Sequence, residues 1–119
     1  MNFKTNRPIY QQITDYCFNC ILQRQWKPGE RVPSVRELAS QLAVNTHTVL
    51  KALEYLQQAG IIYPRRGMGF YLADDALDRV NTARRERFYR EVLPELFHEM
   101  DILGITLDDI ARVKRGLKP

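Results

Sequence analysis

Two amphipathic helical segments separated by only three residues constrain the fold of this chain more than any other feature. The first begins at Ser34, whose spacing to Glu37 is that of a capping box, in which hydroxyl and carboxylate each bind an N-terminal N–H group. The second is predicted over residues 46–58, with Asn45 as its N-cap. A helix, a short turn and a second helix follow one another in the order of a helix-turn-helix unit.

The flanking segments extend this unit into a winged helix-turn-helix. Residues 8–25 are predicted to form a preceding helix, because apolar residues recur there at every fourth position from Ile9. After Gly60, which suits a helix C′ position, two short β-prone runs flank a turn rich in Pro, Gly and Arg. The order predicts a mainly α-helical fold with a small β-hairpin wing.

Charge and composition favour a globular chain with a polyanionic partner. Of the 119 residues, 45% are hydrophobic and 27% are charged, which excludes a disordered chain. Residues 1–73 contain nine Lys and Arg against four Asp and Glu, whereas residues 74–119 contain nine against ten, so the basic excess lies with the winged helix. No segment resembles a membrane span or a signal peptide, and a cytoplasmic location without membrane association is expected.

The predicted recognition helix and wing carry side chains suited to DNA. A recognition helix enters the major groove with its N-terminal residues at the base edges. In this chain that region offers short polar groups, an imidazole and an ammonium: Thr46, His47, Thr48 and Lys51. His47 is interpreted either as a base reader or as a solvated surface histidine. The wing tip, with Arg65, Arg66 and two glycines, suits a narrow minor groove.

Several spaced motifs between residues 8 and 73 occur in a recognisable order. Residues 26–39 read WKPGERVPSVRELA, residues 44–53 read VNTHTVLKAL and residues 66–72 read RGMGFYL. They are similar to the patterns x-x-P-G-x-x-L-P-S-x-R-E-L-A, V-[SN]-x-x-T-V-x-[KR]-A-L and R-G-x-G-[TF]-[FY]-[VL] of GntR-type regulators. The winged-helix part of the chain therefore resembles the DNA-binding domain of that family.

The resemblance implies a sequence-specific regulator of transcription, expected to repress by occluding a promoter as a homodimer on an inverted repeat of double-stranded DNA. Arg36 would bind a base edge or a phosphate. With the basic wing tip included, the expected DNA contacts are Ser34, Arg36, Thr46, His47, Thr48, Lys51, Arg65, Arg66 and Gly67. The alternative function is a protein-interaction module in which the basic wing is merely part of the surface.

Residues 74–119 are predicted to form a helical tail, separate from the winged helix of residues 1–73. The tail is helical over residues 76–102, with a kink or a break expected at Pro94. A last short helix is expected after Thr106, with Leu107, Ile110, Ala111 and Val113 facing inward. The basic run at residues 84–90 is either a solvated helix face or an additional phosphate contact.

Two adjacent apolar rows make one face of the tail too wide for a helix with a single neighbour. We expect this face to be a dimer interface, the alternative being burial against the chain's own first and last helices. Its residues are Phe88, Tyr89, Val92, Leu93, Leu96, Phe97 and Met100. A short two-helix tail is similar to the YtrA-like subfamily, whose tails serve dimerisation and whose members commonly repress ABC-transporter operons and their own genes.

No residue pattern predicts catalysis, a metal site or a cofactor. The C-x-x-C pair of Cys17 and Cys20 lacks the second ligand pair of a structural zinc site, and His47 and His98 are isolated. We expect Cys17 in the core and Cys20 partly exposed and inert. There are no paired carboxylates, no nucleophile with a base and no phosphate-binding loop, so an enzyme is not expected. No feature names a small-molecule effector.

Overall fold

The computed structural model describes residues 7–118, in two compact units of which one ends at Ala83 and the other begins at Arg84. The fold is mainly helical with a two-stranded antiparallel hairpin, as predicted. Its elements are α1 (Ile9–Leu22), α2 (Val35–Leu42), α3 (Thr46–Gln58), β1 (Ile62–Arg65), β2 (Gly69–Leu72), α4 (Ala76–Arg87), a π-helical segment (Phe88–Val92), α5 (Leu93–Leu103) and α6 (Leu107–Lys114). The division of the chain at residues 73 and 74 stays a prediction.

α1 begins after Pro8, whose missing N–H costs nothing in a first turn. Its apolar stripe is buried from Ile13 onward, whereas Ile9 stays 47% exposed. Cys20 is buried like Cys17, so the expectation of partial exposure was wrong. The reason is the turn after α1, which folds back so that the N–H groups of Gln25 and Trp26 donate to the Cys20 carbonyl oxygen.

The helix-turn-helix has the predicted caps. The Ser34 hydroxyl oxygen accepts a hydrogen bond from the Glu37 N–H, and the Glu37 carboxylate accepts one from the Ser34 N–H, each at 3.1 Å. Ala43 turns the chain with a φ of +55°, and the Asn45 side chain caps α3. α3 spans the predicted residues 46–58.

One apolar core joins α1, α2 and α3 to the hairpin and to the start of α4. Its largest fully buried side chains come from the helices, both strands and the segments that lead into them: Ile13, Cys17, Ile21, Val32, Leu38, Val49, Leu53, Leu56, Ile61, Ile62, Leu72 and Val80. Gly60 ends α3 with a φ of +73°, and a Cβ there would lie 2.6 Å from Nη1 of Arg79. That nitrogen lies 3.5 Å from the carbonyl oxygen of Ala59, so Arg79 covers the C-terminal end of α3.

The hairpin pairs Ile62 with Leu72 and Arg65 with Gly69. Because side chains alternate along a strand, Ile62 and Leu72 enter the core while Tyr63, Arg65 and Tyr71 share the opposite face. Tyr71 also forms an isolated antiparallel bridge with Arg31, which precedes α2. The wing is thereby tied to the segment that leads into the helix-turn-helix.

The second unit stays helical through Pro94. Pro94 cannot donate a hydrogen bond to a carbonyl four residues back, and a wider π-helical segment precedes it, closed by the Leu93 N–H on the Phe88 carbonyl oxygen. Gly104 ends α5 with a φ of +68°. Thr106 caps α6 as predicted, in a capping box with Asp109.

The inward orientation expected for Leu107, Ile110 and Val113 of α6 was wrong, whereas Ala111 is half-buried. Leu107 is 66% exposed, Ile110 38% and Val113 49%. The second unit contains two α-helices and a few additional turns, which present more apolar surface than helices of this size can cover. In the part of the chain that the structure describes, none of the helices has the length and apolar character of a membrane span.

Candidate nucleic-acid interface

The N-terminal half of α3 presents polar side chains on a rigid support. Thr46, His47 and Lys51 are exposed, and Thr48 is half-buried. Val49 between them is fully buried and holds the helix to the core. The positions predicted to face a DNA groove therefore face solvent.

Asn45 occupies two of the backbone donors at this helix end. Its side-chain oxygen accepts from the His47 N–H at 2.7 Å, and its carbonyl oxygen accepts from the Thr48 N–H at 3.1 Å. These two N–H groups are therefore not available to a phosphate. Any contact that residues 46–48 make with a ligand therefore depends mainly on their side chains, which are two hydroxyls and an imidazole.

Lys51 is held by an aromatic ring of α1. Its ammonium nitrogen lies 4.2 Å from the centroid of the Tyr10 ring, within the range of a cation–π interaction. Tyr10 is half-buried, so its ring is itself supported by the helix packing. The positive charge is thus fixed beside the polar half of α3.

A small polar network fixes the start of α2, where Ser34 is half-buried and Arg36 is exposed. Nη2 of Arg31 lies 3.1 Å from the Glu37 carboxylate, which also accepts the Ser34 N–H. That backbone hydrogen bond, with smaller contributions from the Ser34 hydroxyl and the Arg31 charge, lowers the pKa of Glu37 below its usual value.

The wing separates its two arginines. Arg65 is the last residue of β1, and its guanidinium carbon lies 4.4 Å from the centroid of the Tyr71 ring. Tyr71 also stacks on Tyr63, with ring centroids 6.1 Å apart. Arg66 and Gly67 form the turn, which the hydrogen bond from the Met68 N–H to the Arg65 carbonyl oxygen closes. Arg65 was expected at the tip, but it lies at the strand end because the ladder extends to its pairing with Gly69.

The predicted interface residues of the tail differ in exposure within the chain. Phe88, Val92 and Phe97 are 43–45% exposed, and Tyr89 is 63% exposed. Leu96 is exposed, Leu93 is half-buried and Met100 is buried. Most of the predicted face is therefore uncovered in a single chain.

The cysteine pair offers no accessible thiolate. Burial raises the pKa of both Cys17 and Cys20. Among residues 7–118, no group of three or more His, Cys, Asp or Glu side chains is arranged to hold a metal ion.

Three residues support the predicted contacts and were missed in the sequence. Tyr10 holds Lys51, Arg31 joins the capping box of α2, and Tyr71 holds Arg65. The β-hairpin pattern could have placed Tyr71 and Arg65 on one face. No local pattern links Tyr10 to Lys51 or Arg31 to Glu37, because those contacts depend on tertiary packing.

Comparison with known proteins identifies the same part of the chain. Residues 9–72 match the family model of bacterial regulatory proteins, gntR family. The transcriptional repressor YtrA of Bacillus subtilis is 33% identical over 107 residues, which are 90% of this chain and 82% of the repressor.

Solved structures agree with this match. A GntR family transcriptional regulator from Listeria monocytogenes superposes with a TM-score of 0.72 at 32% identity, covering 98% of this chain and 100% of that one. The DNA-binding domain of AraR, crystallised in complex with its operator ORX1, gives a TM-score of 0.56 at 28% identity over 60% of this chain and 93% of that one.

Proposed function

Because this chain belongs to the GntR family of bacterial regulatory proteins, and is therefore a DNA-binding transcriptional regulator and not an enzyme, we propose that it is a repressor acting as a homodimer on an inverted-repeat operator. The observation that carries the proposal is the exposed polar half of α3, capped by Asn45 and flanked by the charge of Lys51. Short polar groups on a rigid helix are what base readout in the major groove requires.

The proposed operator contacts divide into readers and anchors. Thr46, His47 and Thr48 would read base edges. Arg36 would bind a base edge or a phosphate. Four residues around them would bind the DNA backbone or the minor groove through a charged or hydroxyl group: Ser34, Lys51, Arg65 and Arg66. Gly67 would let the backbone of the wing approach the DNA closely. AraR is a relative whose DNA-binding domain binds an operator, which supports this use of the fold.

Repression and the nature of the target are inferred from similarity. YtrA, which this chain resembles over most of its length, is a repressor. We propose that the operator lies beside the protein's own gene, with a transporter operon as a further target. A cytoplasmic location follows from the proposed binding to chromosomal DNA.

The homodimer is proposed through the tail. Residues 88–97 leave aromatic and aliphatic side chains uncovered, and a second copy of the same face would cover them. A two-fold dimer also presents two recognition helices to two half-sites, which an inverted repeat matches.

An in vitro selection from a random duplex library, at physiological salt with competitor DNA, tests the proposal. We expect an enriched inverted repeat whose binding weakens steeply with salt, because phosphate neutralisation contributes much of the affinity. A library without enrichment, from which binding disappears at moderate salt, would contradict specific operator binding and favour a winged helix that docks onto protein.

A further inference from the structure

One apolar side chain stands among the polar residues of the solvent-facing side of α3. Leu50 is 38% exposed, and it lies one helical turn after Thr46 and three residues after His47. Side chains on a helix lean toward its N-terminus, so the Leu50 methyl groups extend over the turn that carries those two polar residues.

The two sides of His47 on this helix surface differ in chemistry. At about 100° per residue, His47 lies between Leu50 and Lys51 on the helix circumference. The Lys51 ammonium is directed to the Tyr10 ring, which puts the positive charge on one edge. Leu50 lies on the other side of His47, between His47 and Thr46, as an apolar side chain that is more than half covered by its own surroundings.

An apolar group at a base edge distinguishes bases by what it cannot bind. In the major groove, adenine and guanine present acceptors and cytosine presents an amino group, whereas thymine presents a C5-methyl group. A leucine against an acceptor or an amino group would remove its water without replacing the hydrogen bond. Against a thymine methyl, the same leucine buries apolar surface on both sides.

From this arrangement we infer that Leu50 is a specificity-determining residue that contacts the C5-methyl group of a thymine in each half-site. The inference rests on the proposed operator binding through α3. It adds an apolar reader to the polar readers Thr46 and His47.

The test replaces each thymine of the selected operator, one at a time, by 2′-deoxyuridine, which lacks only the methyl group. With the full-length protein, we expect one position per half-site at which this replacement weakens binding about fourfold, the equivalent of ~0.8 kcal/mol for one buried methyl. Leu50→Ala should bind the thymine duplex more weakly and lose that sensitivity, changing less than about twofold on replacement. Leu50→Met should retain it.

Met68→Ala is the matched control. Met68 is an apolar side chain on the wing, 54% exposed, and a minor groove presents no thymine methyl. This variant should keep the wild-type response to deoxyuridine at every position. Thermal unfolding of each variant checks that the fold is retained.

Three results would overturn the inference. If Leu50→Ala responds to deoxyuridine as the wild type does, Leu50 does not contact the thymine methyl group, and specific operator binding still stands. If the wild-type protein binds equally well after every replacement, no thymine methyl group is contacted. A selection that enriches no sequence overturns the proposed operator binding and this inference with it.

Discussion

The ammonium of Lys51 lies 4.2 Å from the centroid of the Tyr10 ring, so a charge on the proposed recognition helix is positioned by the first helix of the chain. An exposed cation–π contact of this kind contributes about 0.5–1 kcal/mol. Its effect on DNA binding can be separated from the effect of the charge itself.

Tyr10→Leu should weaken operator binding by about twofold to fivefold, because Lys51 loses the ring that fixes it. The slope of log affinity against log salt should not change, since the charge remains. Lys51→Ala should reduce that slope by about 0.9, as one phosphate contact is lost. Tyr10→Phe is the control and should bind normally. Equal loss in Phe and Leu variants would assign the effect to the tyrosine hydroxyl instead of the ring.

His47 and Arg66 should give opposite signatures. His47→Ala should change base preference at one position of each half-site, by about 1–3 kcal/mol if the imidazole reads a base. Arg66→Ala should weaken binding to all sequences and lower the salt slope by about 1. Binding curves on an operator library at two salt concentrations measure both. Unaltered preference in the first variant would identify His47 as a solvated surface residue.

Glu37 should make stability depend on acid pH. Its pKa is lowered in the folded chain, so its stabilising effect is complete above its usual value of 4.5 and is lost as the pH falls through the lowered pKa. Glu37→Gln keeps a capping side chain without the charge. The free energy of unfolding of wild type and variant is measured in urea. The difference between them should not change around pH 7 and should shrink below pH 4.5. A difference independent of pH would contradict this role.

Gly60→Ala should destabilise the winged helix by more than its backbone conformation alone explains. A non-glycine residue at positive φ costs about 1–2 kcal/mol, and the new Cβ would also displace the Arg79 guanidinium, which lies 2.6 Å away. Gly104→Ala is the control, since its φ is +68° and nothing lies within 4 Å. In a chain that also carries Arg79→Ala, Gly60→Ala and Gly104→Ala should lower the free energy of urea unfolding by the same amount. If the two substitutions lower the free energy of unfolding equally in the chain that retains Arg79, the Arg79 side chain moves aside freely.

Leu96→Glu should dissociate the proposed dimer. An unpaired charge buried in an apolar interface costs about 3–5 kcal/mol, which raises the dimer dissociation constant more than about a hundredfold. Ile102→Glu is the matched control, because Ile102 is 64% exposed on the same helix but lies outside the predicted interface. Light scattering should report a dimer for wild type and control, and a monomer for Leu96→Glu. A dimeric Leu96→Glu protein would remove this face from the interface.

Local sequence signals predicted the winged helix well. The capping box at Ser34, the N-cap at Asn45 and the glycine at Gly60 each depend on residues a few positions apart, and each was confirmed. The hairpin was also confirmed, although Arg65 lies in a strand and not at the tip.

Features that depend on distant residues could not be predicted in the same way. Burial of Cys20 results from a turn that folds back onto α1, and the position of Lys51 results from a ring on another helix. The exposure of Leu107 was not predicted, because an amphipathic pattern shows which side of a helix is apolar but not whether other parts of the chain pack against that side.

The π-helical segment before Pro94 also sets the angular phase of α5. A π turn holds one residue more than an α turn, so α5 is rotated by about 100° relative to its position in an uninterrupted α-helix continuing from residues 84–87. Deleting one residue from this segment would restore regular helical spacing and turn α5 by that angle. The number of residues in this segment therefore matters as well as their type. A single-residue deletion that alters no apolar side chain of α5 would still change which side of the helix those side chains occupy.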